Sequence, residues 1–316
     1  MTDQAFGGFM EGRAAASTFH GFDLPAETTL SHLPTDSRAR ITLTQLHAWH
    51  HAGRKLVMTT AYDAVTARIA DAAGVDIILV GDSVGNVCLG FENTLPVSMA
   101  MMNHHLEAVA RTRPTAMLVA DLPYLSFHLS VEDTLRNAGG FLQRGAQAVK
   151  LEGGAKRLPM IHALIDAEIP VMGHLGLTPQ SVNPMGGFKV QGKQKADALR
   201  LLEDAQRLQE AGCFSMVLEG IPADLAAKVT ETVAITTIGI GAGPHCSGQV
   251  LVIHDVLGLL HGTSPKFVRR YAEGFQDLTA ALAAWAEDVR GGGFPDERES
   301  YTLPEAVRPA LTQWRP

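Results

Sequence analysis

Short apolar runs that stop abruptly at a polar or charged residue recur along the chain, and stretches with helical periodicity fill the spaces between them. Ile77-Ile78-Leu79-Val80 gives way after one glycine to Asp82-Ser83, Leu118-Val119-Ala120 stops at Asp121, and Ala148-Val149 opens onto Lys150-Leu151-Glu152. Val171-Met172-Gly173 stops at His174, and Met216-Val217-Leu218 at Glu219. Continuous apolar runs of this length read as strands buried on both faces of a parallel sheet, and the carboxyl ends of such strands form the ligand side of α/β folds.

Taken in order, the pattern predicts a short helix over 43–50 with Thr42 as its N-cap, covering the bottom of the fold. Strands follow over 55–62, 75–82, 115–121, 148–152, 170–174, 215–219 and 235–240. Helices over 64–73, 98–113, 131–144, 195–211 and 223–233 alternate with them, together with one that sets Leu158, Ile161 and Ile165 on a single face. An eighth strand is assigned around 266–269, with a helix over 274–289 after it. This count predicts a closed (β/α)8 TIM barrel, because an open doubly wound sheet gathers its ligand residues at one switch point instead of at nearly every strand end. The long segments 84–96 and 175–194 are read as functional loops, and the second, carrying Lys189 and Lys193, as a lid that closes over ligand. Residues 1–40 show neither period and are read as a mobile arm, 41–301 as the barrel with its C-terminal helix, and 302–316 as a tail.

An apolar fraction of 46% over 316 residues is ample for one large core. The net charge of −7, with no basic stripe, argues against nucleic acid and anionic membrane as partners. Cys88, Cys213 and Cys246 are odd in number and lack C-x-x-C spacing, which points to reduced thiols in a cytoplasmic protein rather than a disulfide framework or a zinc site.

Three carboxylates, Asp82, Asp121 and Glu152, close consecutive strands and would repel one another across the rim unless a cation lay among them. Oxygen ligands with no cysteine nearby suit magnesium or manganese. Each also has a plain structural reading, as a loop cap, a turn residue or an anion near the next helix. Lys150, on the same side of its strand as Glu152, serves as an ion-pair partner, as a holder of a substrate carboxylate or as a Schiff-base amine. His174 is either a hydrogen-bonded rim residue or a base. Glu219 stands apart from the acidic cluster, after an apolar run, and is read as a general base or as half of a salt bridge. Gly239-Ile-Gly241-Ala-Gly243 lacks the dinucleotide spacing and is assigned to close backbone packing at the rim. His104-His105 and the methionines beside them are assigned to helix packing and a solvated face.

Eight motifs in unbroken order carry a family resemblance. They are Thr60-Ala-Tyr-Asp63, Leu79-Val-Gly-Asp-Ser83, Thr94-Leu-Pro-Val97, Ala120-Asp-Leu-Pro123, Val149-Lys-Leu-Glu-Gly-Gly154, Gly173-His-Leu-Gly-Leu-Thr-Pro-Gln-Ser181, Gly186-Gly-Phe-Lys-Val-Gln-Gly192 and Ile238-Gly-Ile-Gly-Ala-Gly243. Through them the chain resembles the ketopantoate hydroxymethyltransferase family over about residues 42 to 301. The resemblance implies a barrel of the phosphoenolpyruvate/pyruvate-domain type and a step of pantothenate biosynthesis. In that step a one-carbon unit passes from methylenetetrahydrofolate to 3-methyl-2-oxobutanoate, giving 2-dehydropantoate. Carried over by motif, Asp82, Asp121 and Glu152 would be magnesium ligands, Asp82, Ser83, Asp121 and Lys150 would meet substrate, Glu219 would be the proton acceptor, and His174 would stand behind them. The resemblance also implies a homo-oligomer, a decamer being the common form. Met101, Gly220 and Ser247 depart from the family's usual acidic residue, cysteine and aspartate at those places. Three rivals rank below this reading: a lysine-dependent aldolase working through Lys150, a magnesium-dependent lyase, for which no strand-end cysteine is present, and a non-catalytic scaffold.

Overall fold

The computed structural model describes residues 39–315, so the arm assigned to 1–40 lies outside the described residues except for its last two. Eight segments form strands: β1 (Leu56–Thr60), β2 (Ile77–Val80), β3 (Met117–Asp121), β4 (Ala148–Lys150), β5 (Val171–Gly176), β6 (Ser215–Glu219), β7 (Thr236–Ile240) and β8 (Gly248–Leu251). All pair in parallel with their sequence neighbours, and β8 returns to β1, closing the barrel.

Side chains alternate across a strand, so each strand feeds two separate cores. Ile77, Leu79, Met117, Val119, Ala148, Met172 and Val217 fill the barrel interior as one apolar cluster with Ile41 and Leu46. Those last two belong to the bottom cover: helix Leu43–His51 is capped by Thr42, whose hydroxyl accepts from Gln45 N at 3.3 Å. Ile78, Val80, Leu118, Ala120, Val149, Val171, Met216 and Leu218 face outward and pack against the surrounding helices. Helix Lys195–Glu210 meets them with Leu201, Ala205 and Leu208, the face its spacing predicts. His105 is held within the fold, its Nδ1 lying 2.7 Å from the Tyr62 carbonyl.

The eighth strand is a correction. Residues 266–269 form no strand, and β8 is Gly248–Leu251. Its four residues include a glycine and an exposed glutamine, so no apolar run advertises it. What makes it a strand is backbone pairing on both sides. Gly248 lies so close to its neighbours that a Cβ there would come 2.6 Å from the Leu56 carbonyl oxygen. The link from β7 is short because β8 starts opposite Ile238, so the chain drops back only a few residues along the barrel. Ser247 anchors the return, its N–H donating to Thr237 Oγ1 at 3.1 Å and its carbonyl accepting from Leu56 N at 3.1 Å. Phe267, within the segment assigned to the strand, instead packs beside Gly241.

The C-terminal helix Gly274–Gly291 buries none of its residues. Phe275, Leu278, Leu282, Trp285 and Val289 are exposed, and their alternating steps of three and four residues form one apolar seam. Beyond it the tail carries a short exposed helix, Arg308–Gln313.

Candidate active site

The inward parity that fills the barrel with Val119, Ala148, Met172 and Val217 continues two residues further on each strand to Asp121, Lys150, His174 and Glu219. Sequence spacing alone therefore delivers four titratable side chains to the mouth. Register adds the pairings. Asp121 sits opposite Lys150 across β3 and β4, and Lys150 Nζ lies 2.6 Å from Asp121 Oδ1. Asp82 follows β2 and donates its backbone N–H to the other Asp121 oxygen at 3.2 Å. Glu152 follows β4, where Gly153 bridges to His174. His174 Nδ1 then lies 3.6 Å from Glu152 Oε1 and 3.5 Å from Lys150 Nζ. On its other side, His174 Nε2 is 3.3 Å from Glu219 Oε2, close but off the hydrogen-bonding line. Glu219 is placed by its backbone: its carbonyl accepts from Leu177 N at 2.8 Å. That approach depends on Gly176 at φ +96°, where a Cβ would come 2.2 Å from the same carbonyl oxygen.

Asp82, Asp121, Lys150, Glu152 and His174 are all buried, whereas the Glu219 side chain keeps 17% exposure at the opening. Burial, then the charge of Asp121, pushes the Asp82 carboxyl up to about 7, with Lys150 and Gln180 opposing. Glu152 is held well above the usual carboxylate range, first by burial and then by Asp82. Burial favours a neutral Lys150, but Asp121, Glu152 and Asp82 outweigh it and keep the ammonium form. His174 is pushed down by burial and by Lys150, against Glu219, which favours a neutral ring. A lysine ammonium can only donate, so Nδ1 facing Lys150 acts as acceptor and the ring proton falls on Nε2, facing Glu219.

Asp82, Asp121, Lys150, Glu152, His174 and Glu219 meet in this mouth, and Ser83 follows Asp82 with its hydroxyl 2.8 Å from the Tyr62 phenol. Two further residues do structural work that strand-end reasoning passed over. Gln180 is buried, donates its side-chain amide to Asp82 Oδ2 at 2.9 Å and to the Leu122 carbonyl at 3.0 Å, and donates its N–H to Glu152 Oε2 at 3.0 Å. Tyr62 positions Ser83. Both lie inside motifs of the sequence, but neither ends an apolar run, and only their place in those motifs marks them. Gln180 also fastens the first half of segment 175–194 into the site, leaving Lys189 and Lys193 exposed on the second half.

Three buried carboxyl groups beside one ammonium leave the pocket rich in carboxyl oxygen, the donor type that suits a hard divalent cation. Among the described residues no three acidic, histidine or cysteine side chains stand at ligand spacing. Asp121 and Asp82 are instead tied to Lys150 and Gln180, so a cation would have to draw them in.

Comparison with known proteins gives one consistent result. The profile of the ketopantoate hydroxymethyltransferase family matches residues 40–297. The 3-methyl-2-oxobutanoate hydroxymethyltransferase 2 of Bradyrhizobium diazoefficiens is 68% identical over 287 residues, spanning 91% of this chain and 98% of that protein. A 3-methyl-2-oxobutanoate hydroxymethyltransferase of Methylobacterium is 70% identical over 85% of this chain and 94% of its own length, and that of Trichlorobacter lovleyi is 54% identical over 84% and 100%. Among solved structures, phosphonopyruvate hydrolase superposes with a TM-score of 0.54 at 13% identity, covering 85% of this chain and 95% of that one. A 2,3-dimethylmalate lyase of the phosphoenolpyruvate mutase/isocitrate lyase superfamily gives 0.51 at 16%, covering 84% and 90%. At such identities these structures speak for the barrel fold alone.

Proposed function

The chain belongs to the ketopantoate hydroxymethyltransferase family, and on that premise we propose that it moves a one-carbon unit from methylenetetrahydrofolate to 3-methyl-2-oxobutanoate, producing 2-dehydropantoate for pantothenate and coenzyme A synthesis. The observation that carries the chemistry is the juxtaposition, in one buried mouth, of a carboxylate-rich pocket with Glu219, a partly open carboxylate backed by His174.

On this reading Asp82, Asp121 and Glu152 hold magnesium, which when bound supplies a Lewis acid for the carboxylate and ketone of a 2-oxo acid. Lys150, kept charged by its carboxylate neighbours, sets a fixed cation against the substrate's negative oxygens. Ser83, fixed by Tyr62, offers its hydroxyl to the same substrate. Glu219, placed by its backbone, takes the C3 proton, with His174 Nε2 3.3 Å from its Oε2. The enolate carbon then bonds to the methylene carbon of the donor, both carbon–nitrogen bonds that hold that carbon to the folate break, water supplies the product's hydroxyl oxygen, and the proton taken by Glu219 and one from water go to the two freed folate nitrogens. A Schiff-base route is disfavoured because it needs a neutral Lys150, and Asp121 at 2.6 Å stabilises the charged one. The reading extends to a cytoplasmic homo-oligomer, a decamer as in the family, and the apolar seam of helix Gly274–Gly291 supports contact with a second copy.

Proton NMR of enzyme with 3-methyl-2-oxobutanoate and methylenetetrahydrofolate, run with magnesium and then with excess chelator, tests the proposal. New hydroxymethyl signals that vanish with chelator are expected. Signals that persist under chelation would discard the metal role, and no product from folded enzyme would discard the reaction.

A further inference from the structure

At Gln180 the acidic side of the mouth meets the long segment 175–194. Its side-chain nitrogen donates to Asp82 Oδ2 and to the Leu122 carbonyl, and its backbone N–H donates to Glu152 Oε2. One loop residue thus grips the chain beyond β2, β3 and β4 at once. The Leu122 carbonyl can only accept, so the amide nitrogen faces it and Asp82, and Oε1 is turned away. That oxygen is buried and makes no hydrogen bond. Buried polar atoms are nearly always paired, so an acceptor left orphaned to keep both donors in place marks the donors as the face in use. Each gripped carboxyl keeps its second oxygen uncommitted. Among the described residues Asp82 Oδ1 takes no hydrogen bond, and Glu152 Oε1 stands 3.6 Å from His174 Nδ1, beyond hydrogen-bonding distance.

The remainder of the segment is fastened beside the base. Leu177 N donates to the Glu219 carbonyl at 2.8 Å, and Gln191 N donates to the Gly220 carbonyl at 2.9 Å. Between these holds, residues 182–190 make their hydrogen bonds, among the described residues, inside the segment, and Phe188, Lys189 and Val190 are exposed. A stretch with so few ties outside itself lies at the low end of local stability and follows its anchors. Among the described residues the carboxyls do not stand at ligand spacing, so closing them on a cation requires movement. We propose that Gln180 is a positioning residue that makes metal loading and the ordering of residues 181–193 a single equilibrium. Drawing Asp82 and Glu152 onto a divalent cation moves the residue that holds both, and with it the loop that ends beside Glu219. The inference rests on the magnesium reading and adds to it a link from the metal side of the mouth to the side of the base. Such coupling is reciprocal, so a loop that orders on metal also holds the metal more tightly.

Manganese titration of the full-length protein with 3-methyl-2-oxobutanoate present, the free ion read by electron paramagnetic resonance, tests the first half. Gln180→Met keeps the length of the side chain and removes both donors, and Gln180→Ala removes the bulk as well. Both are expected to weaken manganese about 10–100-fold, the usual scale for a partner that orients a metal ligand. A residue that only filled space would leave Gln180→Met at wild-type affinity and weaken Gln180→Ala alone. Hydrogen exchange of residues 181–193, followed by mass spectrometry, tests the second half in the wild type and so does not depend on any variant folding. Exchange there is expected to slow when manganese saturates the site, and Gln180→Met is expected to lose that slowing at saturating metal. Wild-type affinity in Gln180→Met, or wild-type exchange indifferent to metal, would overturn the proposal and leave the magnesium reading standing. A wild type that binds no manganese would overturn both.

Discussion

Two residues along a strand separate the apolar interior of the barrel from its mouth. Val119 and Asp121 on β3, Ala148 and Lys150 on β4, Met172 and His174 on β5, and Val217 and Glu219 on β6 share one inward direction and stand about 6–7 Å apart. Below, each inward side chain removes apolar surface from water and favours folding. Above, the same strands bury carboxylates that burial itself disfavours, as the raised Asp82 and Glu152 show. The stable layer thus supports the costly one. Changes to the two layers should have opposite effects on stability and on turnover, and each substitution below tests that separation.

The largest effect is expected at the mouth. Glu219→Gln keeps the shape and removes the base, so turnover should fall by about 10²–10⁴ while the thermal midpoint stays within a few degrees of wild type. Steady-state kinetics beside a melting curve decides it, and full turnover in the variant would remove Glu219 from the proton-transfer role. Next comes the floor. Leu46→Ala opens a cavity beneath the barrel, where Leu46 is buried among Ile41 and the inward strand residues, and should cost about 2–5 kcal/mol in denaturant unfolding. Turnover per folded molecule should not change. A loss of turnover without a loss of stability would mean that the two layers are coupled.

That division was largely legible in the sequence because both layers follow one rule. An inward-facing period of two, ended by a titratable residue, marks Asp121, Lys150, His174 and Glu219 without any knowledge of the fold, and closure of the barrel then brings them together. What escaped obeys other physics. β8 is a strand by backbone pairing on both edges, and its Gly248 and exposed Gln249 leave no hydrophobic trace. Gln180 lies in a loop, where burial comes from tertiary approach rather than periodicity, and its contacts with Asp82 and Leu122 join residues 98 and 58 positions away. The pairing of Glu219 with His174 likewise depends on how β5 and β6 are staggered, a register that sequence does not state.

The smallest expected effect separates the layers by pH. Asp82 titrates near 3.8 as a free side chain and at about 7 in the folded protein, so in chelator the native state keeps a proton that the unfolded chain gives up between those values. The state that binds more protons loses stability as they are withdrawn, so this contribution is present below pH 3.8 and fades as pH rises toward 7. The melting temperature of the metal-free enzyme should therefore decline across that window more steeply than that of Asp82→Asn, whose amide has no proton to lose. A difference of a few degrees between pH 5 and pH 8 is the expected scale. Leu46→Ala, altered only in the apolar layer, should lie below wild type by a constant offset and keep its slope. Parallel curves for wild type and Asp82→Asn would mean that Lys150 and Gln180 already neutralise the aspartate fully. The stability cost of the mouth would then rest on Glu152, the other carboxylate that burial raises.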